Sequence, residues 1–367
     1  PTTEGLDQTR SRLISDIQVF RRAWPENQPL IAITGSNAKS TVTSLVAAIL
    51  KADGRSVLVG GNLGPQALDL LVDRTDESIA VLELSSFQLE RTRGLRATVA
   101  TCLNMSPDHL DWHGSMIAYH QAKHRIFEGV GAIVVNAEDP LSQPLVPDQT
   151  PAIKFALQHP DFHRFGLMVV EGEDWISLGA DRWMPVSHLP MPGRHMIQNA
   201  MAAFAICHLI GVDKMVAVRA ARAFTGLPHR MIDLAPVRGV RFVNDSKGTN
   251  VGASETAVAS VDTQNHLYLL AGGESKDADL SQWAKIVRTH CAHVFAFGRD
   301  RQRFVEALGE RVTAVETLDQ AFELAVQQAS EGDVVLLSPA CASFDQFTNY
   351  QQRGAHFEAL VEAYREI

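Results

Sequence analysis

Short apolar runs rich in valine, isoleucine and leucine recur along the chain. Between them lie longer stretches in which apolar residues return every three or four positions. The first runs are "LIAIT" at 30, "SVLVGG" at 56, "IAVLEL" at 79, "TVATCLN" at 98 and "AIVVNAED" at 132. Alternation of such runs with helix-length segments predicts crossover units and a mostly parallel sheet. From about 154 to 190 the texture changes to "FGLMVVEGEDWISLGADRWMPV", where polar and apolar residues alternate around glycine-containing turns, so small antiparallel strands are expected. Helical spacing returns in "NAMAAFAICHLIGV" and "KMVAVRAARAF", after which "TGLPHR" carries the Gly and Pro that end a helix. A domain boundary near Gly226 follows. Beyond it, "RFVND" at 241, "HLYLLAGG" at 266, "HVFAFG" at 293 and "DVVLLSPA" at 333 repeat the scheme. They predict a second, Rossmann-like doubly wound sheet. The expected fold class is α/β, with one domain over residues 1–225 and another over 227–367.

A chain of 367 residues with 46% hydrophobic content is long enough for two or three cores. Its net charge of -9 argues against a polyanion-binding surface spread over the whole molecule, so no nucleic-acid partner is expected. Cys102, Cys207, Cys291 and Cys341 lack the paired short spacing of a zinc site and read as buried thiols in a reducing compartment. There is no basic-then-apolar leader, and no apolar run approaches the ~20 residues that span a bilayer. A cytoplasmic protein without stable membrane association is the expectation.

Chemistry enters with "IAITGSNAKSTV" at 31–42. A loop between a buried strand and a helix start presents backbone N–H groups and the positive end of the helix dipole, a setting that favours phosphate. Lys39 adds a point charge for outer phosphates, and the Ser40 hydroxyl can ligate Mg²⁺. The match to GxxxxGK[ST] departs at Ile33 and Ala38, where glycine is expected. If position 38 needs a left-handed backbone, alanine costs on the order of 1 kcal/mol, which is strain and not exclusion. The bland alternative is a Ser/Asn-rich turn capping an ordinary helix. Ligands of open parallel sheets bind beyond the carboxyl ends of the strands. There "LELSSFQLE" places Glu83, and "LNMSPDHLDWHG" places Asp108, His109, Asp111 and His113. Glu83 and His109, ending neighbouring strands, are candidates to hold a metal or position an attacking group. Lys123, in "YHQAKHRIF", reads from composition alone as a solvated helix lysine.

Taken together, "ITGSNAKSTVT", "GGNLG", "VLELSSFQLE", "DHLDWHG", "AKHRIF", "GLPHR", "NDSKGTN" and "LLSPACASFDQF" resemble, in order and over nearly the whole chain, the motifs of the Mur ligase family. These are ATP-dependent enzymes that join a carboxylate to an amino acid. Within the family the likeness is to the branch that adds D-glutamate to UDP-N-acetylmuramoyl-L-alanine in peptidoglycan precursor synthesis. The resemblance implies a P-loop ATPase domain followed by an amino-acid-binding domain, with ATP and Mg²⁺ as cofactors, small-molecule substrates and a monomeric state. Nucleotide contacts would fall on Gly35, Ser36, Asn37, Ala38, Lys39, Ser40, Thr41, Asn199, Arg230 and Asp245. Lys39, Glu83, His109, Lys123 and Asn62 would be catalytic, with Ser40, Glu83, His109 and a CO₂-derived carbamate on Lys123 as metal ligands. D-glutamate would meet Lys247, Thr249, Lys276, Ser343, Phe344 and Tyr350. Three departures stand out. Ala38 replaces the usual glycine, Met196 replaces the asparagine that follows the histidine of "GRHMIQNAMAA", and the family's opening UDP-binding domain has no counterpart before "PTTEGLDQTRSRLISDIQVF". Two other readings stay open: a related amide ligase such as a folylpolyglutamate synthase, and a catalytically silent nucleotide-binding module.

Overall fold

The computed structural model describes residues 14–190, 193–275 and 278–366. The chain divides into two compact units, Pro1–Thr225 and Gly226–Ile367.

In the first unit, helix α1 (Asp16–Ala23) precedes β1 (Leu30–Thr34), α2 (Lys39–Ala52), β2 (Val57–Gly61), β3 (Ile79–Glu83), α3 (Ser86–Glu90) and β4 (Val99–Cys102). The chain continues through α4 (Leu110–His113), α5 (Met116–His124), β5 (Ala132–Asn136), β6 (Ala152–Phe155), β7 (Arg164–Val170), β8 (Glu173–Leu178) and β9 (Asp181–Pro185). Two helices, α6 (Arg194–Leu209) and α7 (Lys214–Ala223), close the unit. The nine strands lie in the order β2-β3-β1-β4-β5-β6-β7-β8-β9. Pairing is parallel from β2 to β7 and antiparallel through β8 and β9, as the change of pattern near 154 predicts.

The alternation along β1 sorts its side chains between two cores. Ile31 and Ile33 pack with Val42, Leu45, Val46 and Ile49 of α2 and with the buried face of α6. Leu30 and Ala32 face Ile17, Phe20 and Trp24 on the other side. Each large aliphatic side chain removed from water here contributes roughly 1.5–3 kcal/mol, which holds the central strands rigid beneath the loops they carry. Register decides what those loops meet: Ile33 lies beside Glu83 on β3 and beside Thr101 on β4. The loops that follow β1, β3 and β4 therefore leave the sheet at one edge.

The second unit comprises β10 (Ile232–Val237), β11 (Val240–Asn244), α8 (Val251–Ser260), β12 (Leu267–Gly272), α9 (Ser281–His290) and β13 (His293–Phe297). After these come α10 (Arg301–Leu308), β14 (Val312–Ala314), α11 (Leu318–Gln328), β15 (Val334–Leu337) and α12 (Tyr350–Glu366). Its six-stranded sheet has the order β10-β11-β15-β12-β13-β14. All neighbours are parallel except β10, which forms an antiparallel hairpin with β11. The pattern of apolar runs identifies the four central strands and misses both edges. β10 is largely solvent-facing and contains Pro236, and β14 has three residues, so neither carries a buried run.

Candidate active site

Gly35 follows β1 because the loop turns back against β4: a Cβ there would lie 3.1 Å from Leu103 Cβ and 3.2 Å from the Asn37 carbonyl oxygen. Ala38 does adopt the left-handed conformation, with φ 66° and ψ -6°. The alanine thus carries strain on the order of 1 kcal/mol, while its methyl packs against the core beneath α2. Lys39 opens the helix and folds over the loop, its Nζ donating to the carbonyls of Gly35 and Ser36, both at 2.8 Å. Ser40 and Thr41 are buried in the first turn.

The segment after β4 bolts this loop in place. Asn104 O accepts the Ser36 N–H at 2.9 Å. The Asn104 side chain accepts the Asn37 N–H through Oδ1 at 2.8 Å and donates through Nδ2 to the Asn37 carbonyl at 3.3 Å. Ser36 Oγ donates to the Ser106 carbonyl at 3.0 Å and accepts the Ser106 N–H at 2.9 Å. It also shares a 3.0 Å hydrogen bond with the Tyr119 hydroxyl. Sequence reasoning passed over Asn104 and Tyr119. An amide at the end of "TCLN" was the available signal for the first, whereas nothing local marks the tyrosine.

Lys123 is not a solvated lysine. It is 2% exposed, and its Nζ donates to the Gly35 carbonyl at 2.8 Å and to Thr34 Oγ1 at 3.3 Å. Composition could not reveal this, because α5 is buried only along the stripe through Tyr119, Ala122 and Lys123. Burial, and then the neighbouring Lys39, push its pKa down to about 7, against weaker opposing effects from Cys102, Asp108 and Glu83. The structure therefore brings Lys39 and Lys123 onto one carbonyl, with Glu83 within electrostatic reach.

Glu83 ends β3 at 2% exposure. Its Oε1 accepts a hydrogen bond from Asn62 Nδ2 at 2.7 Å, which unites two of the expected site residues. Its Oε2 is buried without a hydrogen-bond partner. An orphaned carboxylate oxygen costs on the order of 1–3 kcal/mol, and a hard cation would satisfy it. Among the described residues no three His, Cys, Asp or Glu side chains are grouped to hold a metal. His109 has a left-handed backbone at φ 54°. Its Nε2 lies 3.4 Å from Asp108 Oδ2, and its ring packs edge-on against Phe87 at 4.8 Å. His113 turns instead to Ser86 Oγ at 3.0 Å. The side chain of Asp111 lies outside the described residues.

On α6, Met196 is buried, and the Asn199 amide donates to its sulfur at 3.5 Å. The substitution noted in the sequence therefore occupies the retained asparagine with a thioether.

In the second unit the loops after β11 and β15 meet. Asp245 is buried and accepts a hydrogen bond from Ser338 Oγ at 2.7 Å. Burial pushes its pKa up to about 7, against the opposing pull of Ser338 and then Arg230. Gly248 is required beside it, since a Cβ would fall 2.6 Å from Asp245 Oδ2. The ammonium of Lys247 sits 4.3 Å from the centre of the Tyr350 ring. The backbone of Thr249 bonds back to the Lys247 carbonyl at 2.7 Å. Ser343 is buried and Phe344 is 68% exposed, so adjacent residues offer a sheltered hydroxyl and an open ring. Lys276 lies outside the described residues. Arg353, which sequence reasoning missed, is fully buried and donates to the carbonyls of Ser246 (2.8 Å) and Cys341 (3.2 Å), tying both loops together. On a helix its spacing looks like any solvated arginine.

Comparison with known proteins adds lineage to this geometry. Residues 33–207 match the Mur ligase middle domain, and residues 229–341 match the Mur ligase, glutamate ligase domain. The chain is 47% identical over 367 residues to the UDP-N-acetylmuramoylalanine--D-glutamate ligase of Pseudomonas savastanoi pv. phaseolicola, covering 98% of this chain and 81% of that protein. The enzyme of the same name from Acinetobacter baylyi is 46% identical over 359 residues, covering 96% and 79%. Among solved structures, a pseudomurein peptide ligase type C from Methanothermus fervidus superposes with a TM-score of 0.75 at 16% identity, over 94% of this chain and 80% of that one. The MurF ligase from Thermotoga maritima in complex with ADP gives 0.69 at 17% identity, over 96% and 83%. These two likenesses speak to the fold alone.

Proposed function

The chain belongs to the Mur ligase family, and from that membership we propose that it is an ATP-dependent ligase that adds D-glutamate to UDP-N-acetylmuramoyl-L-alanine in peptidoglycan precursor synthesis. The observation that carries the chemical reading is the meeting of the Lys39 ammonium and the buried Lys123 amine on the Gly35 carbonyl of a loop that opens a helix. A lysine charge set over backbone N–H groups at a helix N-terminus favours a phosphate, and a nucleotide supplies it.

The acceptor carboxylate attacks the ATP γ-phosphorus, the bond to ADP breaks, and an acyl phosphate forms. The D-glutamate amine then attacks the acyl carbon, inorganic phosphate departs, and the amine loses a proton as the amide forms. Such transfers rest on positioning and charge stabilisation more than on a nucleophilic side chain. Mg²⁺, when bound, neutralises charge on the phosphoryl oxygens. Glu83, Ser40 and His109 are the residues proposed to hold it. Asn62 orients Glu83 through their hydrogen bond. Backbone N–H groups of residues 35–41 cradle the phosphates, and Asn199, Arg230 and Asp245 are assigned to the rest of the nucleotide. Lys247, Thr249, Lys276, Ser343, Phe344 and Tyr350 are assigned to D-glutamate.

Lys123 acts as a carbamate in this reading. With a pKa near 7 a large share of its amine is neutral at neutral pH, and a neutral amine adds to CO₂ with release of one proton. The product is an oxygen donor suited to a hard cation and opposite in charge to Lys39. As a ligase acting on soluble small molecules, the chain is assigned to the cytoplasm as a monomer. Among the described residues no helix is long and apolar enough to cross a membrane.

Phosphate release with ATP, Mg²⁺, D-glutamate and UDP-N-acetylmuramoyl-L-alanine is the test. Release that requires all four supports the assignment. ATP binding without turnover would identify a silent nucleotide-binding module, and turnover with another amino acid would move the chain to a different ligase of the family.

A further inference from the structure

A cavity of about 340 Å³ lies in the first unit between the end of α1 and the loop that joins α3 to β4. Its wall contains Arg21, Arg22, Arg93 and Arg96, with Trp24 and a single acid, Glu26. Four guanidinium groups against one carboxylate make a concentrated positive charge on a chain whose net charge is -9. The one acid is already engaged, since Glu26 Oε1 accepts from Arg96 Nη1 at 3.2 Å.

Ordinary helix chemistry accounts for half of the cluster. Arg21 and Arg22 occupy the last turn of α1, where cations are favoured by the helix dipole. It does not account for Arg93 and Arg96, which arrive from an element some seventy residues along the chain. Two further features point the same way. The Nε of Arg21 is buried without a hydrogen-bond partner, although its Nη1 donates to the Trp24 carbonyl at 2.8 Å. Arg96 holds a left-handed backbone at φ 46°, a strained conformation for a residue of its size. The positive field also reaches the end of α5, where burial and then Arg93 lower the pKa of Arg125.

We propose that this cavity is a binding site for a small, multiply charged phosphate-bearing anion, separate from the phosphate loop. Guanidinium forks match phosphate oxygens two at a time, and an anion between α1 and the 91–96 loop relieves the repulsion of the arginines. A concave site of this volume suits a soluble molecule of a few heavy-atom groups and does not present a flat face to a bilayer. The inference does not depend on the ligase assignment, because every residue it uses lies outside the residues assigned to catalysis.

Inorganic pyrophosphate is the probe, titrated calorimetrically at low ionic strength with EDTA present so that no metal supports binding at the phosphate loop. Three full-length proteins are compared: the unaltered chain, Lys39→Ala, and the double variant Arg22→Ser with Arg93→Ser. Saturable binding that persists in Lys39→Ala and weakens at least tenfold in the double variant is the expected result. Arg22→Lys with Arg93→Lys should recover part of the affinity, because charge returns without the fork, and this pair guards against a folding defect. Binding lost in Lys39→Ala but kept in the double variant would place the anion on the phosphate loop and overturn the proposal. Absence of pyrophosphate binding, with or without association to phosphatidylglycerol vesicles, would overturn it as well.

Discussion

Ala38 shows how a residue outside the expected pattern is accommodated. In the proposed function, phosphate contacts from this loop come from backbone N–H groups, which alanine keeps, so Ala38→Gly should alter ATP affinity by less than about tenfold, or ~1.4 kcal/mol. Relief of left-handed strain and loss of methyl packing oppose each other, so the urea midpoint should move little. A hundredfold gain in ATP affinity by calorimetry would mean the loop is defective as it stands. Lys123 offers a sharper test, because the ammonium and the carbamate differ in sign of charge. Lys123→Ala should abolish turnover, and formate or acetate should restore part of it by supplying the lost oxygens. Normal activity in the unsupplemented variant would remove the lysine from the mechanism.

At the scale of elements, the segment after β4 and the phosphate loop behave as one piece. Asn104 contributes both hydrogen bonds of a side-chain clamp on Asn37, and Ser36 and Ser106 add a reciprocal pair. Neutral hydrogen bonds of this kind contribute about 1 kcal/mol each. Asn104→Ala should therefore raise the KM for ATP and the Mg²⁺ concentration for half-maximal rate by roughly tenfold, while the KM for D-glutamate stays within about twofold. Steady-state kinetics with each ligand varied in turn decides it. A lowered kcat with all three half-saturation values unchanged would indicate a general loss of folded enzyme instead of a displaced loop.

For the whole molecule, two buried groups should shape stability in opposite senses. The pKa of Asp245 rises from 3.8 to about 7 on folding, so the folded chain holds that proton more tightly and the group lowers stability as pH climbs through this window. The pKa of Lys123 falls from 10.5 to about 7, so the unfolded chain holds the proton more tightly and the group raises stability as pH climbs from about 7 to 10.5. Urea unfolding from pH 4 to 10, in CO₂-depleted buffer with EDTA, should show Asp245→Asn flattening the first slope and Lys123→Met flattening the second. A steeper slope in either variant would reverse the assigned sign. Much of this protein could be read before its structure. Apolar runs such as "LIAIT" and "HLYLLAGG" announced the central strands, because a strand buried on both faces must be apolar throughout. The loops at their ends were legible too, since glycine, a lysine and hydroxyl residues after a buried strand are a local arrangement. Edge strands β10 and β14 were not legible, because half-exposed backbone places few demands on side chains. Nor were the burial of Lys123, the clamp of Asn104, the dry Arg353 or the convergence of arginines beside Trp24. Each depends on which distant segments the sheet order and register bring together, and a polar side chain carries no mark of whether the chain will fold water away from it.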